Sequence, residues 1–583
     1  MERRRKLDPA GLASGGSALR RTTAYFFTFA LTLATTLAIA SGQTSDDPAA
    51  QEAKTLANAG RWQEIVALAE SRPARTPELD YYYGSALAHL ERYRDAARIL
   101  QQGAKRSPQD ERFPLELAGV AFRQKQYPQS AKFLRRALDL APDDPYAMEF
   151  LATVYFLEGN LEAALKYWNR LSKPHIENIN LEPLPQLNSV LLDHALAFAP
   201  ASTLTVPQLL ASQSMLQGLG IFSMAKFDLA ARDDGNFDAV LRNDERDGFG
   251  HNKIETLVRL FRDLPSQMVT PEYFNYRHHA INLISMYRWD AQKRRARAEL
   301  SGPWRGPRRR FFFSGDWRDE NWDIRPSFTG HPPLLGSFTL RRSSAETGVT
   351  FIPNGRWKWS AAAEFSHREF DNIFLGSALT PELLSQGYQL KQQTDLSADF
   401  WRIPEHRIVL TGLASSELGR VWSSPAHAFE KVQLGSRLHW FPQAVGDDYE
   451  VLQQFRGGRT WGTPPFDELF TLGGLGDNNL LLRGHITTHS GRKGSGPIGR
   501  NYFISNWEMD KNVFHPGFLA VKLGPFMDTG TISDPSPGLG AHKWLWDTGP
   551  QLKLKAFGFG MVLTYGRDLR SGNSTLLVGV TLK

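Results

Sequence analysis

Hydrophobic residues follow three rhythms along the 583-residue chain. The first is one unbroken run, Ala24 to Ala40 (AYFFTFALTLATTLAIA), behind Arg3, Arg4, Arg5, Arg20 and Arg21. It ends in Ala38-Ile39-Ala40 and gives way to polar residues from Ser41 to Asp47. A basic flank, an apolar core and a small-x-small end predict a secretory signal over residues 1–42, with a retained single-span anchor as the alternative.

The second rhythm is helical and repeats every 34 residues. Tyr83-Gly84, Leu117-Ala118 and Leu151-Ala152 recur at that spacing, as do Leu100, Leu134 and Trp168. Ala96, Ser130 and Ala164 hold the small positions, and Pro108 and Pro142 close two units. Small residues let two antiparallel helices touch, and large ones fill the seam between them. The predicted units are 77–110, 111–144 and 145–175, after a partial unit carrying Trp62, Ile65, Ala69 and Pro73. The pattern resembles tetratricopeptide repeats. That resemblance implies a stack over 43–175 with Tyr83, Gly84, Leu117, Ala118, Leu151 and Ala152 in its seam, and a concave surface for peptides or partner proteins. A purely structural spacer is the plainer alternative.

Residues 176–248 break the period. Ile176 to Leu184 reads as a strand, Leu187 to Phe198 as a helix, and Pro207 to Leu219 as a second helix with Thr205 as its cap. After Gly220-Ile221-Phe222, segments 225–231 and 237–242 flank a turn at Asp233-Asp234-Gly235 and read as a hairpin. This order, with LLASQSMLQGLGIF as its most telling piece, resembles a polypeptide-transport-associated (POTRA) domain. A generic small α/β domain is the alternative.

The third rhythm has period two and fills residues 249–583. Short alternating segments are separated by Gly, Pro, Asn and Asp, and 13 of the 15 tryptophans lie here. Alternation with abundant aromatics predicts a transmembrane antiparallel β-barrel, and strands of ~10 residues give about 16 crossings. It must close, because lipid offers unpaired backbone groups no partners. In 518–530, Leu519, Val521, Leu523 and Met527 share one face and Lys522, Phe526 and Asp528 the other. In 500–510, Phe503, Trp507 and Met509 oppose Tyr502, Asn506 and Glu508. Period two therefore turns Glu508 and Asp528 towards the lumen.

The segment 470–485 reads FTLGGLGDNNLLLRGH and precedes a polar stretch to Gly499. With Phe526-Met527-Asp528-Thr529-Gly530 it resembles the BamA/TamA-like outer-membrane assembly family, the bacterial surface antigen barrels. That family carries an arginine-glycine-aromatic motif on a loop folded into the barrel and a phenylalanine-x-aspartate-x-glycine motif on a late strand. The resemblance implies that Arg483 and Gly484 lock the loop inside the lumen against Glu508, Phe526, Asp528 and Gly530. His485 stands where the family has Phe or Tyr, and the chain closes on Val580-Thr581-Leu582-Lys583 rather than on an aromatic residue.

Composition then narrows the chemistry. The absence of cysteine excludes disulfide scaffolds, thiol catalysis, iron–sulfur clusters and cysteine-bound zinc. The 41% apolar content suffices for cores, and a single long apolar run excludes a polytopic helical membrane protein. A net charge of +7 is mild and fits an anionic lipid surface better than nucleic acid. No Gly-x-Ser-x-Gly or other catalytic constellation is present. His278-His279 lacks metal-ligand spacing, Gly473-Gly474-Leu475-Gly476 lacks a phosphate loop's context, and Arg308-Arg309-Arg310 reads as a solvated turn that could meet phosphate headgroups. No enzyme activity, cofactor or metal is expected. The resemblances together imply an outer-membrane barrel that inserts or translocates polypeptides. Its repeats and POTRA domain would lie in the periplasm, and its partners would be unfolded or nascent outer-membrane polypeptides, periplasmic proteins and outer-membrane lipid. An export pore for polysaccharide, docked through the repeats, is the other reading.

Overall fold

A computed structural model describes residues 47–250, 256, 260, 263–326, 332–474, 479–514, 519–533, 541–556 and 559–581. The secretory signal and the terminal Leu582-Lys583 lie outside them. Contacts divide the chain into two units. Met1–Asn180, Ala199–Val206 and Asp228–Val240 form one; Leu181–Phe198, Pro207–Phe227 and Leu241–Lys583 form the other.

The first unit is built from helical hairpins. Its helices are Pro48–Asn58, Trp62–Glu70, Pro77–His89, Tyr93–Arg106, Arg112–Arg123, Tyr127–Leu140, Pro145–Leu157 and Leu161–Trp168. Asp47, Thr76 and Asp144 cap three of them through their side chains, each with proline in the first turn. Within each pair the chain reverses at one left-handed residue, Gly60, Glu91, Lys125 or Gly159. The segment before the first full repeat thus forms a complete hairpin of its own.

The seam is dry. Tyr83, Leu117, Ala118, Leu151 and Ala152 are buried, together with Leu100, Leu134 and Trp168. Gly84 is needed for close approach, since a Cβ there would stand 2.5 Å from Leu100 Cγ. At the other small positions Ala96, Ser130 and Ala164 are fully buried, and the Ser130 hydroxyl donates to Ala118 O at 2.9 Å.

A four-stranded sheet follows in the order β2-β1-β4-β3, from β1 (His175–Glu182), β2 (Ser202–Thr203), β3 (Phe222–Ala231) and β4 (Phe237–Glu245). Its helices are Ser189–Ala195 and Val206–Leu219. The first is shorter than the pattern predicts. Asn188 caps it by accepting from Val190 and Leu191, and Ala197 N–H leaves the helix for Ser212 Oγ at 2.8 Å. The short β2 carries too few residues to show a period.

The second unit contains a closed β-barrel. Its strands are β5 (Met268–Val269), β6 (Glu272–Tyr276), β7 (Ile281–Asp290), β8 (Lys293–Pro303), β9 (Arg309–Ile324), β10 (Gly336–Phe351), β11 (Trp357–Phe374), β12 (Gly387–Ile403), β13 (Ile408–Trp422), β14 (His427–Trp440) and β15 (Tyr449–Gly462). An inserted segment carries β16 (Phe470–Thr471), β17 (Thr488–His489), β18 (Arg492–Lys493) and β19 (Ile498–Gly499). The wall resumes with β20 (Asn501–Phe514), β21 (Leu519–Ser533), β22 (Ala541–Ala556), β23 (Phe559–Asp568) and β24 (Ser574–Thr581). Among the described residues, eighteen strand segments make the ring. The count exceeds the number of crossings because β5 and β6 both pair with β7, and because β17 and β18 belong to the insertion while β15 pairs directly with β20.

The wall is apolar outside and charged inside. Trp317, Trp359, Trp401, Phe503, Trp507, Met509, Leu523 and Met527 are exposed, whereas Arg342, Arg368, Glu320, Asp510, Asp528 and Asp547 are buried. At the end with the short turns, helix Val206–Leu219 meets the barrel. Arg310 Nη1 donates to Gly218 O at 2.6 Å and Asn282 Nδ2 to Leu219 O at 2.9 Å, which satisfies carbonyls a helix end leaves free. Arg310, expected in a solvated turn, is taken up by this contact. His278 and His279 lie on an exposed turn.

Candidate functional site

The chain between β15 and β20 folds back against the buried face of the wall. Gly473, at φ +147°, starts the return, and a Cβ there would strike Thr487 Cγ2. Gly473 N–H donates to Leu480 O at 3.0 Å and Gly474 N–H to His485 O at 2.9 Å, which holds 480–485 against the start of the return. Phe470, Leu472, Leu480 and Leu482 pack with Tyr502, Ile504, Ile532 and Leu545, giving the segment an apolar footing on the wall.

From this footing Arg483 reaches a prepared bay. Its Nε and Nη2 donate to the two oxygens of Asp528 at 2.8 and 2.7 Å, a bidentate fork. Nη1 donates to Glu508 Oε1 at 2.6 Å and to Gln551 Oε1 at 2.9 Å. The backbone N–H of Arg483 also donates to Asp528 Oδ2 at 2.9 Å, and Thr575 Oγ1 donates to Arg483 O at 2.6 Å. The guanidinium lies 3.9 Å from the centre of the Phe526 ring, a cation–π contact. Asn506 holds Asp528 Oδ1 at 2.7 Å and Leu481 O at 2.7 Å.

Gly484 passes where no side chain fits: a Cβ would stand 2.6 Å from Asp547 Cγ. Its N–H donates to Asp547 Oδ2 at 2.6 Å. Gly530 has a different neighbour. It pairs with Ile504 on β20, and a Cβ there would meet Phe503 O at 2.9 Å, so its role is strand packing.

The strands themselves align the bay. Asn506 is opposite Asp528, Asp528 opposite Asp547, and Asp547 opposite Asp568, a polar row across β20 to β23. Lys553 Nζ bridges Glu508 and Asp510 at 2.6 Å each. Gln551, Lys553, Asp510, Asp547 and Asp568 escaped the sequence reading. Each holds an inward register position beside a recognised residue, and extending the alternation of β20 and β21 to β22 and β23 is the signal that would have found them.

A second ionic centre was also missed. Asp467 and Glu468, on the same insertion, face Arg342, Arg368, Lys391 and Lys431 from β10, β11, β12 and β14. Arg342 Nη1 donates to Asp467 Oδ2 at 2.8 Å, and Arg342 also pairs with Glu364. Phe466 and Leu469 join an apolar cluster with Phe338, Phe370 and Leu383. Each of these two centres anchors the insertion by charge beside an apolar patch, and Lys493 adds a contact of its own, donating to Glu320 Oε1 on β9 at 2.7 Å.

Residues 87–147 match the tetratricopeptide repeat family model. The structure is similar to that of CdiB from Escherichia coli, with 15% identity over 70% of this chain and 75% of that one and a TM-score of 0.45. It is similar to CdiB from Acinetobacter baumannii, with 12% identity over 80% and 86% and a TM-score of 0.41. BamA from Haemophilus ducreyi lacking POTRA domains 1–3 is also similar, with 11% identity over 70% and 84% and a TM-score of 0.40. No curated protein matches the sequence.

Proposed function

We propose that the chain is an outer-membrane β-barrel that inserts or translocates polypeptides, non-enzymatically, with its repeats and a POTRA-like domain in the periplasm. The observation that carries this reading is the insertion pinned to the barrel wall by several ion pairs. A passive pore gains nothing from filling its own lumen with a segment pinned by Arg483, Asp467 and Glu468. A barrel whose working surface is its wall and rim has a use for such a plug, because the plug stiffens the wall and blocks leakage.

Other features support the reading. A wall with exposed tryptophans and buried, paired charges is the inverse of a soluble protein and suits lipid. The ten-residue β3 lies at the edge of its sheet and offers unpaired backbone groups to an incoming extended chain. In this reading Arg483, Gly484, Glu508, Phe526 and Asp528 form the lumenal lock.

Depletion tests the function. Loss of the protein should lower the level of specific outer-membrane or exported polypeptides while surface polysaccharide stays normal. Loss of polysaccharide with an unchanged outer-membrane proteome would favour the export pore. Surface protease on intact cells should spare residues 43–248, and cleavage there without membrane damage would reverse the topology.

A further inference from the structure

Two of the three aspartates in the polar row have no fixed cation. Asp528 is neutralised by Arg483, but Asp547 and Asp568 are directly opposed on β22 and β23 and are 0% and 2% exposed. Like charges directly across a ladder repel, and burial sharpens the repulsion. Among the described residues, no lysine or arginine forms an ion pair with either. What faces them is His485, also buried, with Nδ1 3.0 Å from Asp547 Oδ2 and Nε2 3.9 Å from Asp568 Oδ2.

We propose that His485, Asp547 and Asp568 bind one divalent first-row transition cation, with Zn2+ the best match. One ligand atom from each residue lies within 4.8 Å of the other two. A separate observation points into the same space: Asp547 Oδ1 is buried with no hydrogen-bond partner, although Oδ2 takes both Gly484 N–H and His485. An orphaned buried carboxylate oxygen is costly, and a metal ion satisfies it. Asp568 is held for the task by the N–H groups of Arg570 and Ser571, at 2.9 and 3.2 Å.

The donor set selects the ion. One imidazole with two carboxylates suits zinc and its transition-metal neighbours, while calcium and magnesium prefer all-oxygen shells. Three protein ligands leave a further position for water. The metal ties the tip of the insertion to β22 and β23, one residue beyond Gly484. The lock then has a permanent part, Arg483 on Asp528, and a removable part whose occupancy follows metal supply. The competing occupant is a proton, which would make His485 an imidazolium between the two carboxylates.

The test uses the full-length protein in detergent, stripped with EDTA, dialysed against micromolar Zn2+ and assayed for metal content. Wild type should retain roughly one zinc per chain, and His485→Phe and Asp568→Asn should each retain at least about tenfold less. Heat-modifiable gel migration identifies variants that still fold. Should neither fold, cobalt substitution of the wild type decides: one equivalent of Co2+ should develop visible ligand-field bands that EDTA erases. Cleavage within 475–499 should speed up on stripping and slow again with Zn2+ but not with Mg2+. Absence of stoichiometric binding by wild type, equal retention by a folded His485→Phe, or a protease response to pH alone would overturn the proposal. Metal content reads this site independently of transport, so the site and the proposed function can fail separately.

Discussion

The helical repeats and the barrel apply one rule in opposite directions. In the repeats, Leu79, Leu87, Ile99 and Leu151 are buried and the charged residues lie largely at the surface. In the barrel, Trp317, Trp401 and Trp507 face outward, while Arg368, Asp528 and Asp547 are almost completely buried. The repeats are held by the exclusion of water from apolar seams. The barrel's interior is held by charges that have lost water and found each other. Damage should therefore differ in kind: removing a side chain leaves a cavity in the repeats and an uncompensated charge in the barrel.

The largest effect should come from the fork between Arg483 and Asp528. Arg483→Ala and Asp528→Ala should each cost ~3–5 kcal/mol, because each strands its buried partner. The double variant should lose less than the sum, since one network is broken once. Arg483→Lys should recover only part of the loss, as an ammonium cannot hold both Asp528 oxygens and Glu508 in one plane. Denaturant titration in detergent, protease access to 476–499 and bilayer conductance all report on it. Silent or simply additive single variants would break the comparison.

In the repeats the counterpart is Leu151→Ala. Its side chain is fully buried, and its loss should cost ~2–5 kcal/mol through burial and cavity together. Thermal melting of fragment 43–175, followed by circular dichroism, measures it. Unchanged melting would mean that the seam does not hold the stack.

These two sites also differ in how far the sequence reveals them. Tyr83, Leu117 and Leu151 are legible because the 34-residue period repeats one local environment, so each unit corroborates the next. Arg483, Glu508 and Asp528 are legible through local motifs and the two-residue alternation of β20 and β21. Asp547 and Asp568 are not, although they lie opposite Asp528 and each other in register. Register across a ladder is a long-range property, and His485, Asp547 and Asp568 are scattered along the chain with no motif spacing. For that reason the sequence alone predicts no metal site there. Asp467 and Glu468 resemble any acidic turn until four strands deliver the cations around them. The helix before Phe198 is shorter than its pattern because Asn188 caps its start, and Ala197 is drawn away by the distant Ser212.

Gly84→Ala probes the dry seam from the opposite side. The added methyl would stand 2.5 and 2.6 Å from Leu100 Cγ and Cδ2, so the two helices must separate or Leu100 must change rotamer. Overpacking of this kind should cost ~1–3 kcal/mol, despite alanine's better helix propensity. Gly119→Ala is the control. Its Cβ would meet nothing within 4 Å, so melting should hold or rise slightly. Equal melting of the two variants would mean the seam is looser than the contacts imply.

The smallest effect should come from an ion pair in the repeats, which sharpens the comparison because its chemistry matches Arg483 and only the surroundings differ. Arg112 donates to both oxygens of Glu78, 34 residues earlier, at 3.0 and 2.6 Å, and to Asp110 at 2.7 Å, with its guanidinium 4.7 Å from the centre of the Tyr81 ring. Hydrogen bonds to Asp110 and Glu78 hold its pKa further above the ordinary guanidinium range, against the pull of burial. Yet its side chain is 38% exposed and that of Glu78 28%, so water competes for both. Arg112→Ala should cost no more than about 1 kcal/mol, since solvent takes back most of what the pair gains. That loss should shrink further in salt, where the screening length falls to ~3 Å at 1 M. The loss caused by Arg483→Ala should hardly change with salt, because ions do not reach a buried pair. Melting curves of the Arg112 variant and denaturation of the Arg483 variant at low and high salt measure both responses. If the two variants lost equal stability, or if salt weakened both losses alike, the division between a solvated and a desolvated fork would fail.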